Sequence, residues 1–349
     1  MKTADFDYPL PAELIAQQPS ERRDAARMMV LDRRTAAIEH SHFTDLARYL
    51  MPGDVLVLNR TRVIPARLRA KKEPTGGKVE LLLIKRLGET SWEALVRGRR
   101  VPAGTRLRLL DRSGLATGPR AEVRALTESG GRVVEFESAG EGWLQDYGEM
   151  PLPPYIHRHL EDSERYQTVF GRVPGSAAAP TAGLHFTEGT LDELVAMGVE
   201  IEQVTLHIGL DTFRPVKEEE VEHHDIHSEW CEMLPDVAER LSRAKAAGRR
   251  VVAVGSTSVR VLETATLAAA ENGAGAALAP FSGQTRLFIV PGFTFRAVDV
   301  LLTNYHLPRS TLLMLVSAFA GRELVLRAYE EAVRNRYRFF SFGDCMLIV

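Results

Sequence analysis

The sequence predicts an α/β main domain interrupted by an all-β, barrel-like insert domain. A short apolar strand at 251–254 runs directly into a helix that begins near Gly255. Short strands separated by Gly and Pro turns fill residues 61–153, and alternating strand and helix patterns return after a Pro-rich segment. We therefore expect an α/β domain of residues 1–60 plus 154–349 and an inserted β domain of residues 61–153.

Composition is that of a globular protein large enough for two domains. The 349 residues are 45% hydrophobic and 26% charged, with a net charge of −2, so no overall field draws the chain to a polyanion. The two cysteines, Cys231 and Cys345, lie in no metal or redox spacing, which favours free thiols in a reducing compartment. The first residues contain no apolar signal segment, and the run 312–320 is too short to cross a bilayer. We expect a cytoplasmic protein.

The amino-terminal segment predicts a small βαβ arrangement. Residues 28–31 and 54–58 are β-prone apolar runs. Between them, Thr44 can cap a helix that continues to Leu50, and a Pro-Gly pair follows it.

The predicted insert contains closely spaced strands and a basic block. The alternation of polar and apolar residues predicts strands at 79–84, 92–96, 106–110, 121–126 and 133–136. From residue 60 to residue 112 there are 15 Lys or Arg against 5 Asp or Glu. Such a block can bind a polyanion, although a solvated basic surface has the same composition.

The carboxy-terminal half returns to strands and helices. A capping-box pattern at 190–193 predicts a helix that ends at Gly198, and Ser310 can cap another helix. The remaining predicted elements are a strand at 199–206, helices at 236–247, 312–320 and 323–335, and a closing strand region at 339–349.

The strand-to-helix connection at 251–263 is a central candidate for a ligand site. Gly255 allows a sharp turn, and Ser256, Thr257 and Ser258 place hydroxyls where the helix begins. The start of a helix favours binding of an anion, and the Arg260 guanidinium could donate further hydrogen bonds to it. No Walker or Gly-x-Gly-x-x-Gly pattern is present, and an ordinary capped connection is an equal alternative.

Two further loops carry polar candidates. In residues 179–187, Thr181, Gly183 and His185 form a loop of small and polar residues, with His185 a possible acid or base. His207 and Arg214 follow a predicted strand end, where ligand sites of open α/β sheets gather. For each of these residues, a purely structural role in the loop is the alternative.

Two histidine-containing segments remain. Asn304 and His306 lie where another strand would end, and they could contact a ligand or brace their own loop. On a helix, His223 and His227 would share a face at a spacing that can hold zinc, with His224 beside them. The surrounding residues are poor evidence for a helix, and no His-Glu-x-x-His pattern is present.

Together these segments resemble one family, the S-adenosylmethionine:tRNA ribosyltransferase-isomerases of queuosine biosynthesis. The similar segments are 6–11, 59–65, 152–156, 164–169, 179–186, 205–209 with 212–216, 227–229, 255–260, 299–320 and 337–344. The resemblance runs nearly end to end and is weakest across the β insert. It departs at Asp211, where much of the family has Gly.

The resemblance implies a reaction in which S-adenosylmethionine donates its ribosyl group. That group is transferred to the aminomethyl group of 7-aminomethyl-7-deazaguanine in tRNA and is isomerised, giving epoxyqueuosine with release of adenine and methionine. It implies no cofactor and no metal, because S-adenosylmethionine is a consumed substrate. The basic insert would then contact the tRNA anticodon arm, without a membrane, and a monomer is compatible with the sequence.

This chemistry needs a base near the acidified ribose C5′ and an acid near the departing adenine. We predict that His185 and His207 supply them, with His306 in reserve. For substrate binding we predict Thr181, Gly183, Arg214, Gly255, Thr257, Ser258, Arg260, Asn304 and His306. Two rival functions remain open at this point: a metal-dependent hydrolase that uses His223, His224 and His227, and a non-catalytic RNA-binding module built on the basic insert.

Overall fold

A computed structural model describes residues 1–127, 130–140, 142–209, 215–271 and 278–349. The chain divides into two compact units. The α/β unit contains residues 1–62, 154–173 and 179–349, and the barrel unit contains residues 63–153 and 174–178. The short segment 174–178 therefore groups with the barrel unit, whereas the sequence placed it in the main domain.

The strands of the described chain, in order, are β1 Arg27–Asp32, β2 Ala37–His42, β3 Val55–Asn59, β4 Thr61–Val63, β5 Arg67–Glu73, β6 Lys78–Arg86, β7 Ser91–Arg97, β8 Arg106–Leu109, β9 Arg120–Leu126, β10 Arg132–Phe136, β11 Gly148–Glu149, β12 Val173–Ser176, β13 Glu200–Leu206, β14 Glu229–Met233, β15 Val251–Val254, β16 Phe281–Thr285, β17 Val300–Asn304 and β18 Cys345–Ile348.

The α-helices are α1 Leu144–Tyr147, α2 Glu188–Ala196, α3 Pro235–Ala246, α4 Gly255–Glu271, α5 Thr311–Ala320 and α6 Arg322–Arg334. Short 3₁₀ helices span Thr3–Phe6, Ala12–Leu14, Arg23–Ala25, Phe43–Tyr49, Ser163–Tyr166, Thr181–His185 and Val221–His223. None of the helices in the described ranges has the length and apolar character needed to span a membrane.

A nine-stranded mixed sheet forms the centre of the α/β unit. Its order is β16-β14-β13-β3-β15-β17-β18-β1-β2, and β13, β3, β15 and β17 run parallel. Every residue of β3, β15 and β17 is buried, as expected for parallel strands covered on both faces. The carboxyl ends of these strands therefore lie along one edge of the sheet.

The helices follow the predicted signals with one correction. Helix α4 begins at Gly255 directly after β15, and the Ser310 side chain accepts a hydrogen bond from the Leu313 N–H at the start of α5. The capping box predicted at residues 190–193 is wrong, because the Thr187 hydroxyl accepts the hydrogen bond from the Thr190 N–H (3.0 Å) and α2 starts at Glu188. The segment after Thr44 is 3₁₀-helical.

The barrel unit is a closed antiparallel barrel. Strands follow the order β5-β6-β7-β10-β9-β8, and pairing of β5 with β8 closes the ring. Alternate residues point inward, including Leu68, Leu81, Leu107 and Val123, and form a separate hydrophobic core. The predicted all-β character is confirmed, although strand β5 and the single-turn helix α1 were not predicted. Strand β5 ends in Lys-Lys-Glu, a charged sequence that on its own does not predict a strand.

Candidate active site

A small cavity opens in the α/β unit at the carboxyl ends of three parallel strands. Ile208 follows β13, Gly255 to Thr257 follow β15, and residues 303–306 end and follow β17. The 3₁₀ segment at Thr181 and the aromatic residues Tyr155 and Phe340 complete the lining. No Lys, Arg, Asp or Glu side chain is among the described lining residues.

The amino terminus of α4 forms one wall of this cavity. Gly255 has φ +82°, a conformation that side-chain-bearing residues rarely adopt, and it lets β15 turn into α4 without an intervening loop. The first turn of a helix has N–H groups without intrahelical partners and carries partial positive charge. The buried Thr257 hydroxyl has no hydrogen-bond partner within the described chain, and its oxygen would lie 3.6 Å from a Cβ placed on Gly255. This wall is therefore suited to an anion.

Ser258 and Gly183, both predicted to bind substrate, have structural environments instead. The Ser258 hydroxyl donates to the Val254 carbonyl at 2.8 Å and does not line the cavity. A Cβ on Gly183 would lie 2.6 Å from the ring of Phe170, so glycine is needed there for packing. Thr181, two residues earlier, does line the cavity.

Asn304 links His185 to the cavity. Its amide donates to the Phe340 carbonyl at 3.0 Å, while its side-chain oxygen lies 3.1 Å from His185 Nε2. Asn304 lines the cavity and His185 does not. His185 is buried, and burial lowers its pKa. The structure therefore places His185 behind Asn304, where it orients the amide.

His306 is the predicted histidine that lines the cavity. Its Nε2 lies 2.8 Å from the Thr303 hydroxyl, and its backbone N–H donates to Tyr329 Oη at 3.0 Å. Burial lowers its pKa to about 3. His306 is therefore neutral at neutral pH, where it can accept a proton or a hydrogen bond but is not already protonated.

The low pKa of His306 predicts a loss of stability in acid. An unfolded histidine binds a proton near pH 6.5, whereas folded His306 does so only near pH 3. Its contribution is therefore complete above about pH 6.5 and declines as the pH falls towards 3. We expect wild type to lose about 2–3 kcal/mol more unfolding free energy than His306→Gln between about pH 6.5 and 4.5. Urea unfolding at both pH values measures this difference. Equal losses of unfolding free energy in wild type and His306→Gln would contradict the low pKa of His306.

His207 lies at the end of β13 but does not line the cavity. Its Nδ1 is 2.8 Å from the Thr61 hydroxyl, and its ring stacks on Trp230 with centroids 5.1 Å apart. Burial lowers its pKa to about 4. His207 and His185 thus have separate surroundings, and the structure does not bring the predicted catalytic pair together in the cavity.

Arg260 already has a carboxylate partner. Its guanidinium forms a buried ion pair with Glu229 and donates to the Leu287 carbonyl. It does not line the cavity, so the predicted contact with a ligand carboxylate lacks geometric support. Arg214, the alternative cation, and Asp211 lie outside the described residues.

The hydroxyl-bearing residues of the cavity that were missed include Tyr155, Tyr305 and Ser341. Tyr155 Oη lies 2.7 Å from the Ser341 hydroxyl, and both residues line the cavity with Tyr305. The Tyr305 hydroxyl is buried, and no hydrogen-bond partner exists for it among the described atoms. All three belong to segments that carried the family resemblance, 152–156, 299–320 and 337–344, so that resemblance was the available signal.

The histidine cluster at 223–227 is dispersed among carboxylates. His223 lies 3.4 Å from Glu220, and His224 lies 2.8 Å from Glu218. His227 Nε2 lies 3.4 Å from Glu229. Within the described ranges, no group of three or more His, Cys, Asp or Glu side chains could hold a metal ion. Both cysteines are free thiols, as predicted, and both are buried.

A mixed α/β sheet with a cavity at the carboxyl ends of its parallel strands defines a class of α/β proteins that bind a small ligand at this edge. Comparison with known proteins narrows that class. A family model described as "Queuosine biosynthesis protein" matches residues 3–348. The chain belongs to the queuosine biosynthesis protein family.

Individual relatives agree over the full length. Proteins named S-adenosylmethionine:tRNA ribosyltransferase-isomerase from Symbiobacterium thermophilum and Carboxydothermus hydrogenoformans are each 55% identical over 352 residues, covering 100% of both sequences. A crystal structure of S-adenosylmethionine tRNA ribosyltransferase from Thermotoga maritima is 40% identical, with a TM-score of 0.55. It covers 99% of this chain and 100% of that one.

Proposed function

We propose that this chain is a transferase-isomerase that transfers and isomerises the ribosyl group of S-adenosylmethionine onto 7-aminomethyl-7-deazaguanine in tRNA. The products are epoxyqueuosine-tRNA, adenine and methionine. The observation that carries the proposal is 55% identity along the entire length to enzymes of that name. The position of the cavity at the carboxyl ends of the parallel strands supports it. S-adenosylmethionine is consumed as a substrate, and the proposal includes no cofactor and a cytoplasmic location.

The α4 wall would hold the methionine carboxylate. The free N–H groups of the helix start and the unpartnered Thr257 hydroxyl offer donors to an anion. Since no charged side chain is described in the lining, the helix start is the main positive feature of the cavity.

We assign the chemistry of proton transfer to the histidines in and around the cavity. The reaction needs a base near C5′ and an acid near adenine. His306 reaches the cavity directly as a neutral imidazole, and His185 is a positioning residue that orients the Asn304 amide, since an amide does not relay a proton. His207 is the remaining candidate, although it contacts Thr61 and Trp230 instead of the lining.

The barrel unit would contact the tRNA anticodon arm through phosphates. It carries most of the basic block, including Lys71, Lys72, Lys78 and Arg108. Phosphate contacts position a nucleic acid, and base contacts supply sequence specificity. In this proposal, the barrel domain is an insert in the α/β domain, as the sequence predicted.

Product release tests this function. We expect the protein, given S-adenosylmethionine and an anticodon stem-loop that carries 7-aminomethyl-7-deazaguanine, to release adenine and methionine in equal amounts with the modification of the RNA. Chromatography of the supernatant and mass spectrometry of the RNA measure the three products. The control is the same stem-loop with guanine at that position. Release of S-adenosylhomocysteine, or no release by folded protein, would overturn the proposal.

A further inference from the structure

Three basic residues stand side by side across three neighbouring strands of the barrel unit. In the antiparallel register, Lys71 of β5 pairs with Lys78 of β6 on one side. On its other side, Lys71 pairs with Arg108 of β8. Neighbouring strands are about 4.8 Å apart, so the three residues form a row about 10 Å long. We name Lys71, Lys78 and Arg108 the basic row.

The basic row lies on the outside of the barrel. Ala70, Val79, Leu107 and Leu109 flank it in sequence and are buried in the barrel core. Because successive side chains of a strand point to opposite faces, the three basic side chains point outward. Lys78 is exposed, and Lys71 and Arg108 are partly exposed.

Several arginines of the barrel form ion pairs with carboxylates, whereas the residues of the basic row do not do so within the described chain. Arg67 pairs with Glu80, Arg69 with Glu149, and Arg124 with both Glu122 and Glu135. In the part of the chain that the structure describes, none of the three basic-row residues has a carboxylate partner; Arg108 Nε only approaches the Ala116 carbonyl at 3.4 Å. Like charges directly opposite each other destabilise a sheet. The row therefore places like charges opposite each other without a carboxylate partner of their own among the described residues.

We propose that the basic row binds the phosphate backbone of the tRNA substrate. The inference rests on the proposed function, which supplies a polyanion as a substrate, and it identifies which part of the basic block makes the contact. Adjacent phosphates would neutralise the adjacent cations and remove the repulsion between them. Flexible side chains suit phosphate contacts that carry no sequence information. The carboxylate-paired arginines of the same barrel are already neutralised and contribute less.

The salt dependence of tRNA binding tests the row. We compare wild type with the triple variant Lys71→Gln, Lys78→Gln and Arg108→Gln. The matched control is Arg67→Gln, Arg69→Gln and Arg124→Gln, which removes the same charge from paired positions. Each lost phosphate contact lowers the slope of log K against log salt by about 0.7–0.9. We expect the row variant to lose about 2 units of slope, and the control to lose less than about 0.7.

Thermal unfolding at low salt gives a second readout. Removing like charges should leave the melting temperature of the row variant unchanged or higher. A lower melting temperature together with a normal salt slope would mean that the row is structural, and equal slopes for both triple variants would mean that only total charge matters. Either result overturns the inference. If the wild-type protein binds tRNA but releases no adenine, the proposed function is wrong. The comparison of salt slopes still tests whether the basic row binds phosphates. Wild type that does not bind tRNA overturns both.

Discussion

Replacing Glu229 with alanine is expected to lower the free energy of unfolding by about 3–5 kcal/mol, because it leaves the Arg260 guanidinium buried without a counter-charge. Glu229 is buried and accepts hydrogen bonds from Arg260 and from the Gly209 N–H at 2.8 Å. Burial opposes its ionisation, but the charge of Arg260 and the hydrogen bond from His227 outweigh it and lower the pKa to about 2. Glu229 is therefore a fixed anion throughout the physiological range, and urea unfolding at pH 7 measures its effect.

A double-mutant cycle separates the ion pair from the loss of side-chain volume. Glu229→Gln and Arg260→Met each break the pair while preserving most of the volume. We expect each single variant to lose several kcal/mol and the double variant to recover part of that loss, since a buried pair replaced as a whole is often nearly neutral. Strictly additive losses would show that the two side chains are not coupled. Arg240→Met breaks an ion pair with Glu202 in which Arg240 is partly exposed, and it should cost less.

Local signals in the sequence identified the elements that build the cavity. The apolar run at 251–254 followed by Gly255 and three hydroxyl residues places a helix start there, and the structure has α4 beginning at that glycine. The apolar run ending at Asn304 similarly identifies the end of β17. These signals are readable because each depends on residues that are adjacent in the chain.

The roles of individual side chains were less predictable because they depend on contacts between distant segments. His185 meets Asn304 across 119 positions, and that contact places the amide, instead of the imidazole, at the cavity. From the sequence, Arg260 lies one turn into α4 and could bind a ligand. In the structure it forms an ion pair with Glu229 on β14 instead. Strand order also decides which cations become neighbours, since Lys71 and Arg108 meet only because the barrel closes between β5 and β8.

Thr257→Val should cause the largest loss of S-adenosylmethionine binding among substitutions that keep the shape of the cavity. The Thr257 hydroxyl is buried at the start of α4 and has no hydrogen-bond partner in the described structure, so it is free to donate to a ligand carboxylate. A hydrogen bond to a charged group contributes about 1.5–3 kcal/mol, which corresponds to a Kd about 10- to 150-fold higher in the variant. Removing an unpaired buried hydroxyl should leave the protein at least as stable. Calorimetric titration and thermal unfolding measure the two effects.

Two comparisons make this test specific for the carboxylate. Ser258→Ala is the matched control, because Ser258 is the next residue of the same helix, lies outside the cavity and donates to the Val254 carbonyl. It should leave S-adenosylmethionine binding within about twofold of wild type, a difference of about 0.4 kcal/mol. Decarboxylated S-adenosylmethionine provides the second comparison, since Thr257→Val should bind it as wild type does. An equal loss for both ligands would show that Thr257 contacts another part of the substrate, and the carboxylate would then have to bind away from the start of α4.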